Sequence, residues 1–170
     1  TIRGGSAAYG GAVLVQGGAL FEMTGGEMTG ASAKYDGGNV FVYNSQLYMS
    51  DGKITGGTLG SNARYGTNVC LWGSSTMNMS GGTITGFKTG VYNPMGSFKL
   101  SGPVNISGNT ERDVDLESGT SSRRITIEAG FDSAEPIGVD ATGASGSLTD
   151  KEITSGFSTA KGSGADPAKF

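Results

Sequence analysis

The sequence predicts an all-β chain folded as a single-stranded parallel β-helix, a solenoid of about five coils that ends in a β-rich C-terminal cap. Three observations lead to this fold class. Short runs of alternating apolar and polar residues recur along most of the chain, and glycine is abundant, at 32 of 170 residues, with only 4 prolines. The runs are also versions of two phrases that repeat in a constant order. Tight glycine turns between short strands explain the composition, and stacked coils explain the repetition.

The repeat consists of two phrases. One occurs as FEMTGGEMTG (21–30), LYMSDGKITG (47–56), MNMSGGTITG (77–86) and FKLSGPVNISG (98–108). The other precedes each copy as GGAVLVQ (10–16), GGNVFVY (37–43), GTNVCLW (66–72) and TGVYNP (89–94), with a fifth copy, RDVDLE, at 112–117. Its leading valines are spaced by 27, 29, 22 and 23 residues. This period is too short for a βαβ unit, and one constant phrase order favours parallel coils stacked in register.

The alternation predicts which side chains point into the solenoid, because successive residues of a strand face opposite sides. Three inward columns follow, one for each strand of a coil. The first holds Val13, Val15, Val40, Val42, Val69, Leu71, Val91, Val114 and Leu116; the second Phe21, Met23, Leu47, Met49, Met77, Met79, Phe98 and Leu100; the third Ile2, Met28, Ile54, Ile84 and Ile106. Similar residues should therefore stack on one another inside the coils.

The repeat predicts the domain organisation. Residues 1–117 are expected to form the coils, and the first coil is expected to be truncated because TIRGG (1–5) matches the phrase for a third strand. Residues 118–170 are expected to form a capping segment of the same domain. Within that segment, ITIEAG (125–130) and PIGVDATG (136–143) still read as strands. A solenoid needs such an atypical end to cover its last coil.

Composition excludes several classes of function. The net charge is −3 and no run of Lys or Arg occurs, so no nucleic-acid partner is expected. No apolar run is long enough to span a membrane, so membrane insertion is not expected. The chain has no histidine and a single cysteine, Cys70, and it shows no calcium-loop or zinc-ligand spacing. We therefore expect no metal and no cofactor.

The phrases GGNVFVYNSQLYMSDGKITGG, STMNMSGGTITG and SGPVNISGNTERDVDLESG, followed by ITIEAGFDSAEPIGVD, resemble the β-helix repeat regions of adhesin-like surface proteins from Gram-positive gut and oral bacteria. The resemblance covers nearly the whole chain. It implies a right-handed parallel β-helix in an extracellular, cell-surface protein that is wall-anchored through regions outside this chain. It also implies neighbouring domains of a longer chain as partners. It carries over no catalytic residues.

An enzymatic alternative follows from the fold, since parallel β-helices also host polysaccharide lyases and glycosidases. Glycoside hydrolysis uses two carboxylates about 5–9.5 Å apart, and the coils before residue 110 hold only Glu22, Glu27, Asp36 and Asp51. Glu22 and Glu27 are predicted on different faces, and Glu27 is expected to pair with Lys53 on the next coil. The charged segment 111–124 contains Asp113, Asp115, Glu117, Arg123 and Arg124, which we interpret as a solvated, salt-bridged face rather than a lyase-like site. The sequence therefore predicts no catalytic residues.

The outward positions of the first strand are unusually aromatic. One outward column reads Leu14, Phe41, Cys70, Tyr92, and the next reads Gln16, Tyr43, Trp72. An aromatic strip on a flat parallel sheet is suited to sugar rings or to a partner protein. We therefore predict Phe41, Tyr43, Trp72 and Tyr92 as ligand-binding residues that contact a host or microbial glycan or a surface protein. Two alternatives remain open: another segment covers this strip, or the solenoid is a purely structural spacer.

Overall fold

The computed structural model describes residues 1–65, 67–117 and 125–140, together with the backbone of 154–155. Within these residues the chain forms strands and no helix. The strands are β1 (Ile2–Arg3), β2 (Ser6–Ala7), β3 (Val13–Val15), β4 (Leu20–Thr29), β5 (Ser32–Ala33), β6 (Val40–Tyr43), β7 (Gln46–Thr55), β8 (Thr58–Leu59), β9 (Thr67–Trp72), β10 (Thr76–Met79), β11 (Gly82–Thr85), β12 (Thr89–Tyr92), β13 (Ser97–Leu100), β14 (Pro103–Ile106), β15 (Arg112–Asp115), β16 (Ile125–Ile127), β17 (Asp132–Ser133), β18 (Val139–Asp140) and β19 (Thr154–Ser155).

The strands assemble into three parallel sheets that together form a solenoid of about five turns. The front sheet has the order β18-β15-β12-β9-β6-β3 and is built from the valine-led phrase. The broad sheet contains both halves of the other phrase, with β1, β4, β7, β10, β11, β13, β14, β16, β17 and β19. The short sheet, β2-β5-β8, occurs only in the first three coils of the described chain. The predicted parallel β-helix is therefore confirmed.

The register confirms the predicted stacking of like residues. Val40 lies opposite Val13 and Val69, and Val91 lies opposite Val69 and Val114. The inward columns form one continuous apolar core in which most members are fully buried. Ile2 pairs with Met28 as predicted but is 40% exposed, because no described strand lies beyond it. Burial of whole apolar side chains, at about 1.5–3 kcal/mol each, stabilises the stack.

Glycine is required where the broad-sheet strands bend. Gly52 and Gly82 occupy equivalent bends, with φ angles of 100° and 89°. A Cβ at Gly82 would lie 2.8 Å from the carbonyl oxygen of Gly52 and 2.6 Å from Cε of Met49. Only glycine therefore allows the next coil to approach this closely.

Buried asparagines connect the start of the front-sheet strands to the end of β7. Asn39 donates from Nδ2 to the carbonyl oxygen of Gly56 at 2.7 Å and to Oδ1 of Asn68 at 2.7 Å. Asn68 donates in turn to the carbonyl oxygen of Ile54 at 3.4 Å. Both asparagines are fully buried, where unmade hydrogen bonds would be costly. These bonds hold the front sheet to the end of β7 in the broad sheet and to Gly56, which follows that strand.

The stacking does not stop at residue 117. Ile125 and Ile127 pair in register with Phe98 and Leu100, and Val139 pairs with Val114. Phe131 and Ile137 extend the core. Residues 125–140 thus form a further coil, in register with the coils before residue 117 and inside the segment that is predicted to cap the solenoid. The rest of the predicted cap lies outside the described residues, apart from β19, which pairs with β16.

No helix of the described chain is long and apolar enough to cross a membrane.

Candidate functional site: an aromatic cleft on the front sheet

A cleft of about 740 Å³ lies on the outer surface of the front sheet, across the first three coils. We call it the aromatic cleft, because six aromatic side chains line it. Each coil contributes a loop that precedes its front-sheet strand and side chains from the strand itself. The lining residues are Tyr9, Leu14 and Gln16 from the first coil, Tyr35, Asp36, Phe41 and Tyr43 from the second, and Asn62, Arg64, Tyr65 and Trp72 from the third.

The predicted outward columns are present in the structure. Leu14 lies opposite Phe41, Phe41 opposite Cys70, and Cys70 opposite Tyr92. Tyr43 lies opposite Trp72 in the second column. The alternation therefore assigned the correct side of the sheet to all four predicted ligand-binding residues.

The loops decide which of these four residues is accessible. Tyr43 is 45% exposed and Trp72 is half-buried, so both present ring surface to the cleft. Phe41 is 8% exposed and lies beneath Tyr9, with ring centroids 4.7 Å apart. Tyr92 is fully buried and does not line the cleft. The four residues therefore do not form one exposed strip, and Tyr92 is corrected from a contact residue to a supporting one.

Tyr65 is the side chain that covers Tyr92. Their rings stack with centroids 4.0 Å apart and planes inclined by 16°, and Tyr65 also lies 6.4 Å from the ring of Trp72. The hydroxyl of Tyr92 donates to the carboxylate of Glu117. The loop before β9 thus closes one end of the aromatic cleft, with a stacked pair of rings as its anchor.

The alternating pattern of the strands did not indicate the three loop tyrosines. Tyr9, Tyr35 and Tyr65 each stand four or five residues ahead of the leading valine of their coil, in AYGGAV, KYDGGNV and RYGTNV. A tyrosine that recurs one or two residues ahead of a glycine was thus a detectable signal. Gly10 and Gly37 follow these tyrosines with φ angles of 59° and 68°, and a Cβ at either would lie within 2.4 Å of a backbone oxygen. The tight turns hold the tyrosine rings above the sheet.

The polar groups of the cleft centre on Asp36. Its carboxylate accepts a hydrogen bond from the backbone N–H of Tyr65 at 3.3 Å, and it is 7% exposed. Burial raises the pKa of Asp36 above its ordinary value, and the backbone N–H groups of Tyr65 and Arg64 and the charge of Arg64 partly offset this effect. Asp36 thus ties the loop before β9 to the preceding coil.

Cys70 lies under the same loops and is fully buried. Burial raises the pKa of its thiol well above the ordinary value, and the negative charge of Asp36 adds to the effect. A thiol in this state is a poor nucleophile, because the thiolate is the reactive form. Cys70 therefore packs as a small apolar side chain.

The charged segment after residue 110 forms a separate cluster near the other end of the front sheet. Arg112 contacts the carboxylates of Asp115 and Asp140, and Asp113 accepts hydrogen bonds from Asn109 and from the backbone N–H of Gly138, each at 2.9 Å. The predicted salt bridging is confirmed, whereas Asp115 is buried and not solvated. Arg123 and Arg124 lie outside the described residues.

The other acids of the early coils are dispersed. Glu27 lies opposite Lys53 in register, as predicted, but the two described side chains form no ion pair. Within the described part of the chain, no group of three or more His, Cys, Asp or Glu side chains is arranged to hold a metal ion. The aromatic cleft is thus the place where exposed rings and hydrogen-bonding groups come together.

Comparison of this chain with protein-family models, with curated proteins and with solved structures finds no match.

Proposed function

We propose that this chain is a non-enzymatic solenoid segment of an extracellular, adhesin-like bacterial surface protein, and that its aromatic cleft binds glycan. The observation that carries the proposal is the aromatic cleft itself. Ring surface of Tyr43, Trp72 and Tyr9 lies with the amides of Gln16 and Asn62 in the lining of this cleft. Ring faces with adjacent hydrogen-bonding groups match the two-sided chemistry of a pyranose, which has an apolar C–H face and a hydroxyl edge.

The rigidity of the platform supports a binding role. The strands beneath the cleft are held in parallel register with their neighbours, and most of the apolar core below them is buried. A binding surface that is already ordered loses little conformational entropy on association. Localisation at a cell surface, anchoring outside this chain and a partner on a host or microbial surface rest on the resemblance of the repeat phrases, and they belong to the same proposal.

The proposal is tested by glycan-array binding of the 170-residue chain and of three variants. Tyr43→Ala and Trp72→Ala each remove one exposed ring from the cleft, and each should reduce binding by about tenfold. Tyr48→Ala is the matched control, because Tyr48 points outward from β7 on the broad sheet and does not line the cleft. Binding that survives both cleft substitutions would contradict the proposed site.

The same experiment separates the two alternative roles. Release of shortened glycan fragments during incubation would indicate a polysaccharide-active enzyme and would contradict the proposal. Failure to bind any glycan or any surface protein would leave a structural spacer, which should tolerate removal of whole coils without loss of function in the full-length protein.

A further inference from the structure

We infer that the aromatic cleft takes an uncharged oligosaccharide that lies along the solenoid axis, with Tyr43 and Trp72 as its stacking surface. This inference rests on the proposed glycan-binding function and names the chemical class of the ligand. Three observations carry it: the charge balance of the cleft, the use already made of its carboxylate, and the direction in which its rings repeat.

The charges that line the described cleft cancel. Asp36 and Arg64 are its charged lining residues, one acidic and one basic, and Arg64 acts electrostatically on Asp36. The carboxylate of an acidic sugar would be attracted by Arg64 and repelled by Asp36. The charge of a cationic sugar would be attracted by Asp36 and repelled by Arg64. Neither sign of charge therefore gains a clear advantage, whereas an uncharged sugar loses nothing.

The carboxylate of Asp36 is engaged within the protein. It accepts the backbone N–H of Tyr65 at 3.3 Å and is 7% exposed, so it positions the loop and offers little surface to a ligand. The exposed polar side chains of the cleft are Gln16, Asn62 and Arg64, and the charge of Arg64 is opposed by that of Asp36. Gln16 and Asn62 present uncharged amides. Amides donate and accept hydrogen bonds without charge, and they suit the hydroxyl groups of a neutral sugar.

The cleft runs across the coils and not along a strand. Gln16, Tyr43 and Trp72 follow one another at equivalent positions of β3, β6 and β9 or directly after them. Neighbouring parallel strands are about 4.8 Å apart, so this column is about 10 Å long. Tyr9 and Tyr35 rise on one side of it, and Tyr65 closes the far end through its stack on Tyr92. These dimensions fit a short oligosaccharide chain that crosses three coils.

The experiment compares neutral and acidic trisaccharides as ligands of the whole chain. Cellotriose and triacetylchitotriose serve as the neutral probes, and trigalacturonate serves as the acidic probe. Trp72 is the single tryptophan of the chain, so its fluorescence reports occupancy of the cleft directly. Each titration is repeated at about 0.05 M and about 0.5 M salt, because screening weakens charge-based binding and leaves neutral stacking unchanged. A glycan array with neutral and anionic members widens the same comparison.

We expect the neutral oligosaccharides to bind, and their affinity should change by less than about twofold between the two salt concentrations. In Tyr43→Ala the affinity for them should fall about tenfold. Tyr43 is 45% exposed, so its replacement should leave the fold intact, which far-ultraviolet circular dichroism checks. Binding restricted to anionic glycans, weakening as salt rises, would overturn this inference and leave the proposed glycan-binding function standing. Neutral binding that Tyr43→Ala and Trp72→Ala leave intact would also overturn it. Failure of all glycans would overturn the proposed function itself.

Discussion

At the scale of single residues, exposure separates side chains that the sequence pattern treats alike. Tyr43 and Tyr92 both point outward from the front sheet, but Tyr43 is 45% exposed and Tyr92 is fully buried. The ring of Tyr65 stacks on Tyr92 with centroids 4.0 Å apart and covers it. A contact residue on this surface is therefore defined by its position relative to the loops as well as by its direction from the strand.

Asp36 gives a prediction on pH dependence. Its pKa in the folded protein is raised above the ordinary value of 3.8, mainly by burial. The folded state therefore disfavours the charged form, and the resulting loss of stability is absent below pH 3.8 and develops fully as the pH rises through the folded-state pKa. Asp36→Asn keeps an oxygen that can accept the N–H of Tyr65 and removes the charge. We expect this variant to be more stable than the parent at pH 7.

Urea denaturation between pH 3 and pH 7 measures this effect. The difference in unfolding free energy between Asp36→Asn and the parent should shrink towards zero as the pH falls below 3.8, which is the internal control. A variant less stable than the parent at pH 7 would show that the attraction between Asp36 and Arg64 outweighs burial.

Gly82 and Gly17 form a matched pair for testing close packing between coils. Both have positive φ angles, 89° and 72°. A Cβ at Gly17 meets nothing within 4 Å, whereas one at Gly82 would collide with Met49 and with the backbone of Gly52. We expect Gly17→Ala to cost about 1–2 kcal/mol from backbone strain alone. Gly82→Ala should cost at least about 2 kcal/mol more, because backbone atoms have to move. Equal losses of unfolding free energy in denaturant titrations would contradict this explanation.

At the scale of elements, the loop between β8 and β9 determines the shape of the cleft. It brings Asn62, Arg64 and Tyr65 to the cleft wall, and it is held by the Asp36 hydrogen bond and by the Tyr92 stack. The equivalent loop ahead of β12 is shorter, and Phe87 stands four residues ahead of Val91, as Tyr65 stands ahead of Val69. Phe87 is 8% exposed and packs against Gly38 and Gly57. The cleft consequently ends at the third coil.

Tyr65→Ala tests the role of this loop. Removal of the ring should lower the unfolding free energy by about 2–4 kcal/mol, since it leaves Tyr92 without its stacked partner. It should also shift the emission of Trp72 to longer wavelength, because the ring 6.4 Å away no longer shields the indole.

Tyr65→Phe is the control for that experiment, since it retains the stacked ring and the backbone N–H that Asp36 accepts. It should behave like the parent in both measurements. An unchanged emission spectrum in Tyr65→Ala would indicate that the loop does not shape the environment of Trp72.

At the scale of the whole molecule, we expect the stability of the solenoid to be the sum of contributions from its coils and from the interfaces between them. Each described coil contacts mainly its neighbours, through register pairs such as Val91 with Val114 and Val114 with Val139. Deletion of residues 114–138 therefore joins Asp113 to Val139 and places Val139 opposite Val91. We expect a shorter, cooperatively folded solenoid, less stable by a few kcal/mol at most because one interface between coils is lost, with the cleft of the first three coils intact.

A deletion that is out of phase provides the contrast. Removal of residues 114–127 joins Asp113 to Glu128. Glu128 then takes the inward position that Val114 holds in β15. This shorter deletion should destabilise the protein more than the longer one, as measured by denaturant titration and by the β-sheet signal in circular dichroism. The opposite ranking would contradict stacking by whole coils.

The alternation of apolar and polar residues predicted much of this fold, because every coil of a solenoid repeats the same strand pattern. The inward columns, from Val13 to Val114 and from Met28 to Ile106, follow from alternation and spacing alone, and so do the outward positions of Phe41, Tyr43, Trp72 and Tyr92. Each coil contacts mainly the coils next to it, so the length of the repeat and the position within it determine which residues stack on each other. The pairing continues into residues 125–140, and the capping role of residues 118–170 stays a prediction.

The sequence by itself determined the solenoid, its register and the side of the sheet on which the aromatic residues lie. Only the tertiary structure decided that Tyr9, Tyr35 and Tyr65 fold over that side, that Tyr92 is covered, and that Tyr43 and Trp72 stay open. The physical reason is that the direction of a strand residue is a local property of the backbone, whereas the exposure of that residue depends on where loops from other coils come to rest.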